Sequence, residues 1–158
     1  MRYSVSPWPD KSLDSPADAL KYHWNWTHPI AISPHDHNTV YVGTPWYRIV
    51  AVEPDTGKTK WTYATHGGEG PPENQGLKNR GVAYWADERG RGRILMITRG
   101  YRLVELDADT GLPVKTFGTD GLVDLWVGLL EGTGREVEAG QIGASSPAIV
   151  VGDVVVVG

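Results

Sequence analysis

Residues 40–63, VYVGTPWYRIVAVEPDTGKTKWTY, lie over residues 94–117, ILMITRGYRLVELDADTGLPVKTF, at an offset of 54 positions. The agreement is positional. Thr44 meets Thr98, Tyr47 meets Tyr101, Arg48 meets Arg102, Val50 meets Val104, and Asp55, Thr56 and Gly57 meet Asp109, Thr110 and Gly111. A period of this size indicates one supersecondary unit used repeatedly, most often a solenoid coil or a propeller blade. Such a unit buries its apolar face only against a neighbour of its own kind.

Within each unit, β-branched and aromatic residues come in short runs bounded by Gly, Pro and Asp, the pattern of strands. Four are expected per unit. The innermost is PIAIS (29–33) or GVAYW (81–85), followed by TVYVGT (39–44) or ILMITR (94–99). RIVAVE (48–53) or RLVELD (102–107) comes third, and TKWTY (59–63) or PVKTF (113–117) fourth. PDTG or ADTG joins the last two, with the Asp side chain expected to accept backbone N–H bonds and the Gly to take a positive φ. Val50 and Val52 share a face equivalent to that of Val104 and Leu106, so the two sheets would present matching apolar faces for stacking.

A third unit opens at SSPAIVV (145–151), turns at Gly152 and Asp153, and begins a second strand as VVVVG. The fold class is therefore all-β, a β-propeller fragment with two four-stranded blades and the start of a third. Closed rings take about four to eight blades, and an unclosed one leaves an open strand edge. The expected division is an N-terminal extension (1–27), a blade (28–63), a loop (64–79), a blade (80–118), a connector (119–144) and a partial blade (145–158).

Composition agrees. Among 158 residues, 40% are apolar and 22% charged, which places the chain with globular proteins able to bury a core. Twenty Gly and eleven Pro among the short runs fit strands and tight turns, with helix a minor element. A net charge of -4 with Lys and Arg scattered argues against nucleic acid as a partner. The absence of Cys removes disulfides and thiolate metal sites. No apolar run has signal-peptide length or nears the roughly 18 residues of a membrane span, so the chain as written reads as soluble without an export address.

Chemistry-bearing residues are few. Arg80, in NRGVAYW (79–85), stands at the start of an innermost strand, from which it would project into a propeller channel. Its planar fork suits a carboxylated ligand, and the alternative is an Arg bonding loop carbonyls or an inter-blade acid. His35 and His37 in SPHDHN have metal-like spacing but no third ligand, so the stretch reads as a polar turn. His66, near Glu69 and Glu73, lies in the aperiodic stretch 66–79, which reads first as flexible loop. Trp61 and Trp85 read as core packing rather than carbohydrate platforms, while Trp24 and Trp26 are unassigned. GLVDLWVGLLEG (121–132) suggests a short amphipathic helical turn without chemistry. GTDG and GTGR lack the strand-to-helix context of a phosphate loop.

From about Gly43 onward the text TPWYRIVAVEPDTGKTKWTY, NRGVAYW, RILMITRGYRLVELDADTGLPVKTFGTDGLVDL and SSPAIVVGDVVVVG resembles the membrane-type quinoprotein glucose dehydrogenases and their relatives. The resemblance covers roughly three quarters of the chain. It implies an eight-bladed propeller holding pyrroloquinoline quinone (PQQ) and Ca²⁺ near its axis, oxidising sugars or alcohols in the periplasm and passing electrons to an acceptor. By the same resemblance, Arg80 falls on the RG motif whose Arg contacts the quinone carboxylates. Ser145 falls where relatives place Thr or Ser beside the cofactor. Trp85 stands where glucose-oxidising members have His and alcohol-oxidising members Trp, a departure from the glucose pattern. The adjacent Cys pair of the alcohol dehydrogenases is absent.

The family's Ca²⁺ ligands and catalytic Asp are expected beyond Gly158, so the chain alone is expected to be inactive, with no catalytic or metal-binding residue of its own. Alone it would bind neither PQQ nor Ca²⁺ tightly. Residues 1–42, including WNWTHPIAISPHDHNTVYV, are similar to the start of sortilin-type, sialidase-like Asp-box propellers. Two other readings stay open: a non-catalytic scaffold propeller using the same D-x-T-G turns to bind proteins, and a glycan-binding or glycosidase propeller. A cofactor-facing Arg80 favours the enzyme.

Overall fold

The computed structural model describes residues 30–34, 36–44, 47–65, 81–98, 100–135, 142–144 and 146–158. Its strands are β1 (Ile30–Ile32), β2 (Val40–Gly43), β3 (Arg48–Val52), β4 (Thr59–Ala64), β5 (Ala83–Ala86), β6 (Gly92–Thr98), β7 (Arg102–Asp107), β8 (Leu122–Asp124), β9 (Ile149–Val151) and β10 (Val154–Val156). They form two four-stranded antiparallel meanders, β1-β2-β3-β4 and β5-β6-β7-β8, and the hairpin β9–β10. No helix occurs among the described residues. This is the all-β architecture of a propeller fragment, with one sheet for each repeat.

Strand alternation explains how the sheets stack. In the first sheet Tyr41, Ile49 and Ala51 share a face and join Val82, Ile94, Met96, Val104 and Leu106 of the second in one buried cluster. The opposite face of the second sheet carries Leu95, Ile97 and Leu103, which pack with Ala148, Val150, Val155 and Val157 of the third unit. The second sheet is thus apolar on both faces, as a blade between two neighbours must be. Every fully buried aliphatic side chain in these layers contributes about 1.5–3 kcal/mol. The equivalence of Val50 and Val52 with Val104 and Leu106 holds in the pairing, since Val50 and Val52 stand opposite Val42 and Val40 of the preceding strand as Val104 and Leu106 stand opposite Met96 and Ile94.

The two D-T-G turns are nearly superimposable in bonding. Gly57 and Gly111 both sit at φ 70°, and their amides donate to Glu53 O and Asp107 O at 2.8 Å. One detail differs from expectation: the accepting carboxylate is not the Asp within the tetrapeptide. Asp107, two positions earlier, takes the Asp109 and Thr110 amides and the Thr110 hydroxyl, while Glu53 takes the Thr56 hydroxyl. In the second turn the carboxylate at the end of the third strand reaches the turn amides, whereas Asp55 and Asp109 stay exposed. The third unit turns at Gly152 (φ 60°) between Val151 and Val154, where Gly takes the first central position of a two-residue hairpin.

Two further expectations are corrected. The fourth strand of the second sheet is not PVKTF. Pro113 makes an isolated bridge to Leu106, the chain then leaves the ladder, and β8 resumes it at Leu122 against Val104. Gly118 (φ 53°), Asp120 (φ 51°) and Gly121 (φ 91°) turn the backbone too sharply for a continuous strand. The stretch 121–132 is also not helical. After β8 it makes successive turns, with the amides of Val127, Leu129 and Glu131 donating to Asp124, Trp126 and Gly128. Gly128 at φ 75° and Gly132 at φ 77° interrupt helical geometry there.

Candidate functional site

The innermost strands β1, β5 and β9 of the three units lie side by side. Ala83, opening β5, pairs with Leu95 of β6, and Ala148, just ahead of β9, packs with Leu95, Ile97 and Tyr101. Both innermost strands therefore enter their sheets at the same end of the molecule. Arg80 and Ser145 immediately precede the segments that lead into β5 and β9, and both lie outside the described residues. The neighbouring described backbone is distinctive. Gly81 is buried at φ 134°, a conformation that strains any residue with a Cβ.

The same end carries the hairpin between β6 and β7. Tyr101 occupies the left-handed region (φ 55°), as does its repeat equivalent Tyr47 (φ 55°). The conformation folds the ring back over the sheet, where Tyr101 is buried and meets Trp126 edge-on at 6.0 Å. Trp126 Nε1 donates to Gly100 O at 3.0 Å. Val127 beside it is 82% exposed. Arg102 and Asp124 approach to 3.9 Å on this rim, an exposed pair worth little.

A charged cluster that the sequence reading did not single out occupies the opposite end of the second sheet. Arg93, 6% exposed, reaches Asp87 at 3.5 Å, Glu105 at 3.3 Å and Asp107 at 3.1 Å. Arg91 bonds Asp87 at 2.6 Å. Burial pushes the Glu105 carboxyl above its ordinary value, with Arg93 opposing and Asp87 adding to the rise. Asp87 is held low, foremost by the Arg91 amide and then by the Arg91 side chain, against some desolvation. The one sequence signal for this cluster is parity: Arg93, Glu105 and Asp107 occupy positions whose alternation turns them toward the third unit.

The remaining candidates are structural. Trp61 lies on Gly111, where an added Cβ would stand 2.5 Å from the ring, and its Nε1 donates to Ala108 O at 3.0 Å. Tyr41 joins it, donating to the same carbonyl at 3.2 Å and stacking with Tyr84 at 6.0 Å. Burial, then the neighbouring Tyr84, pushes the Tyr41 phenol well up, so it stays protonated as a donor. Trp85 is half-buried against the Leu95 cluster, a packing position. The HxH stretch is a polar turn: Asp36 accepts the Asn38 amide and pairs with Lys60, and its carboxyl falls to about 2, foremost through the Thr39 hydroxyl. His37 is exposed, while His35, His66 and the stretch 66–79 lie outside the described residues. Among the described residues no three His, Cys, Asp or Glu side chains gather as metal ligands.

The family model described as "PQQ: Glucose/ethanol/alcohol dehydrogenase, beta-propeller domain" matches residues 8–158. The quinate/shikimate dehydrogenase (quinone) of Acinetobacter baylyi is 28% identical over 142 residues, covering 77% of this chain and 17% of its own length. The quinoprotein glucose dehydrogenase of Gluconobacter oxydans is 34% identical over 104 residues, covering 58% and 13%. The chain thus spans less than a fifth of either relative.

Proposed function

Because this chain belongs to the PQQ-dependent glucose/ethanol/alcohol dehydrogenase β-propeller family, we propose that it builds one wall of the quinone channel of a sugar or alcohol dehydrogenase. What supports this is the juxtaposition of β5 and β9, whose entering ends lie at one end of the blades; Arg80 and Ser145 precede those strands in the sequence. The buried positive-φ Gly81 fits such a role. It lets the backbone bend sharply after Arg80 without a side chain filling the space beside the strand.

In this reading the Arg80 guanidinium holds a carboxylate of PQQ through a bidentate pair of charge-assisted bonds, and the Ser145 hydroxyl bonds the cofactor from the next blade. PQQ, once bound, supplies the two-electron oxidant. Trp61 on Gly111 and the Arg93 cluster hold the far ends of the sheets. Ca²⁺ and the carboxylate base that takes the substrate proton would come from other blades of the propeller. The substrate is a hydroxylated carbon compound, the acceptor a quinone as in the name of the Acinetobacter relative, and the compartment the periplasm. No helix among the described residues is long and apolar enough to cross a membrane.

Two measurements test the reading. Titrating the protein with PQQ and following tryptophan quenching, Arg80→Ala is expected to weaken binding about 10- to 100-fold, the worth of a lost charged hydrogen bond, with Arg80→Lys between. Equal affinities would overturn the clamp. In a dye-reduction assay with PQQ, Ca²⁺ and a sugar or alcohol, the chain alone is expected to show no turnover. Reduction of the dye would show that metal and base lie within these residues.

A further inference from the structure

We draw no further inference here: the strongest candidate, the exposed apolar face of the β9–β10 hairpin formed by Ile149, Val151, Val154 and Val156, carries nothing because nothing in the structure shows what covers it.

Discussion

The two complete sheets share one repeat and diverge most in the ladder between the third and fourth strands. In the first sheet, Val52 pairs with Thr59 and Ala51 with Trp61, so Lys60 forms a one-residue bulge. In the second, Leu106 bridges Pro113, and the chain does not return until Leu122 opposite Val104. The residue between, Glu105, accepts the Val114 amide and donates to Gly121 O, so both ends of the 114–121 excursion are anchored on it. A bulge has become a loop at the same rung. An outermost strand tolerates this because its far side has no partner to misalign, and because loop-closure entropy grows slowly with length.

The divergence reaches the stacking. Where the first sheet offers Ala51 beneath Trp61, the second offers Glu105 bound to Arg93. Where the first seats an indole on the next blade's turn glycine, the second has Lys115 at the equivalent position and packs Phe117 of the excursion near Val123 and Trp126. One joint is aromatic, and the other surrounds a buried ion cluster. The comparison teaches that a repeat conserves backbone shape more strictly than the chemistry of its contacts.

The largest effect should break the second sheet's half of that comparison. Arg93→Ala leaves Glu105 buried without its partner and pushes its carboxyl further up, and is expected to cost about 3–5 kcal/mol, read from urea-denaturation midpoints. Replacing Arg93 and Glu105 together by Met and Leu should recover most of the loss. If the double variant is no better than the single one, the cluster acts through packing rather than charge. In the first sheet, Trp61→Ala should cost about 3 kcal/mol, the lower part of the range for a buried aromatic because the ring is only half covered.

The matched turns sharpen the contrast. Gly57 and Gly111 share φ 70°, but a Cβ on Gly57 meets nothing within 4 Å, whereas on Gly111 it meets Trp61. Gly57→Ala is therefore expected to cost only the left-handed strain, about 1–2 kcal/mol. Gly111→Ala should cost more, and the excess should vanish when Trp61 is already Ala. Additive losses in that cycle would mean the indole does not seat on the glycine in solution.

The smallest effects concern pH. Glu105 is raised in the folded state. Its contribution is fully present below its unfolded pKa, near 4.5, and is lost as pH rises through the higher folded value. Asp36 runs the other way: lowered to about 2, it stabilises above its unfolded value of 3.8 and loses that contribution as pH falls toward 2. Glu105→Gln should flatten the stability profile on the side above pH 4.5, and Asp36→Asn the side below 3.8. Measuring the denaturation midpoint from pH 2 to 7 checks both. A Glu105→Gln profile parallel to wild type would show that Arg93 compensates its burial.

Much of the architecture was legible in the chain. The offset between Thr44 and Thr98 located both blades, and the run from Ser145 located the third. Alternation in RIVAV and RLVELD assigned the faces correctly, because side-chain direction in a strand is a local property of period two. Gly57, Gly111 and Gly152 marked their turns because a positive φ is a one-residue requirement. The candidate site was legible only in outline. Arg80 and Ser145 are proposed from motif order and family resemblance alone, while the structure shows the strands that follow them side by side and Gly81 buried at a positive φ.

What only the tertiary structure decided are matters of one blade meeting another or of the chain leaving and rejoining a ladder. PVKTF has the composition of a strand, yet the rung opposite Glu105 is filled by Val114 and Gly121, a choice made by turns at Gly118 and Asp120 together with pairing at Leu122. Trp61 reads as a core residue from its strand, but its seat on Gly111 lies 50 positions away in the chain. Arg93, Asp87, Glu105 and Asp107 are unremarkable as charges in a row of text. They become a cluster only when three segments are brought together and water is removed. The repeat by itself determined that there are blades and where they run. The packing of side chains with no sequence proximity determined how each blade is held to the next, because contact energies depend on the neighbour and the period does not.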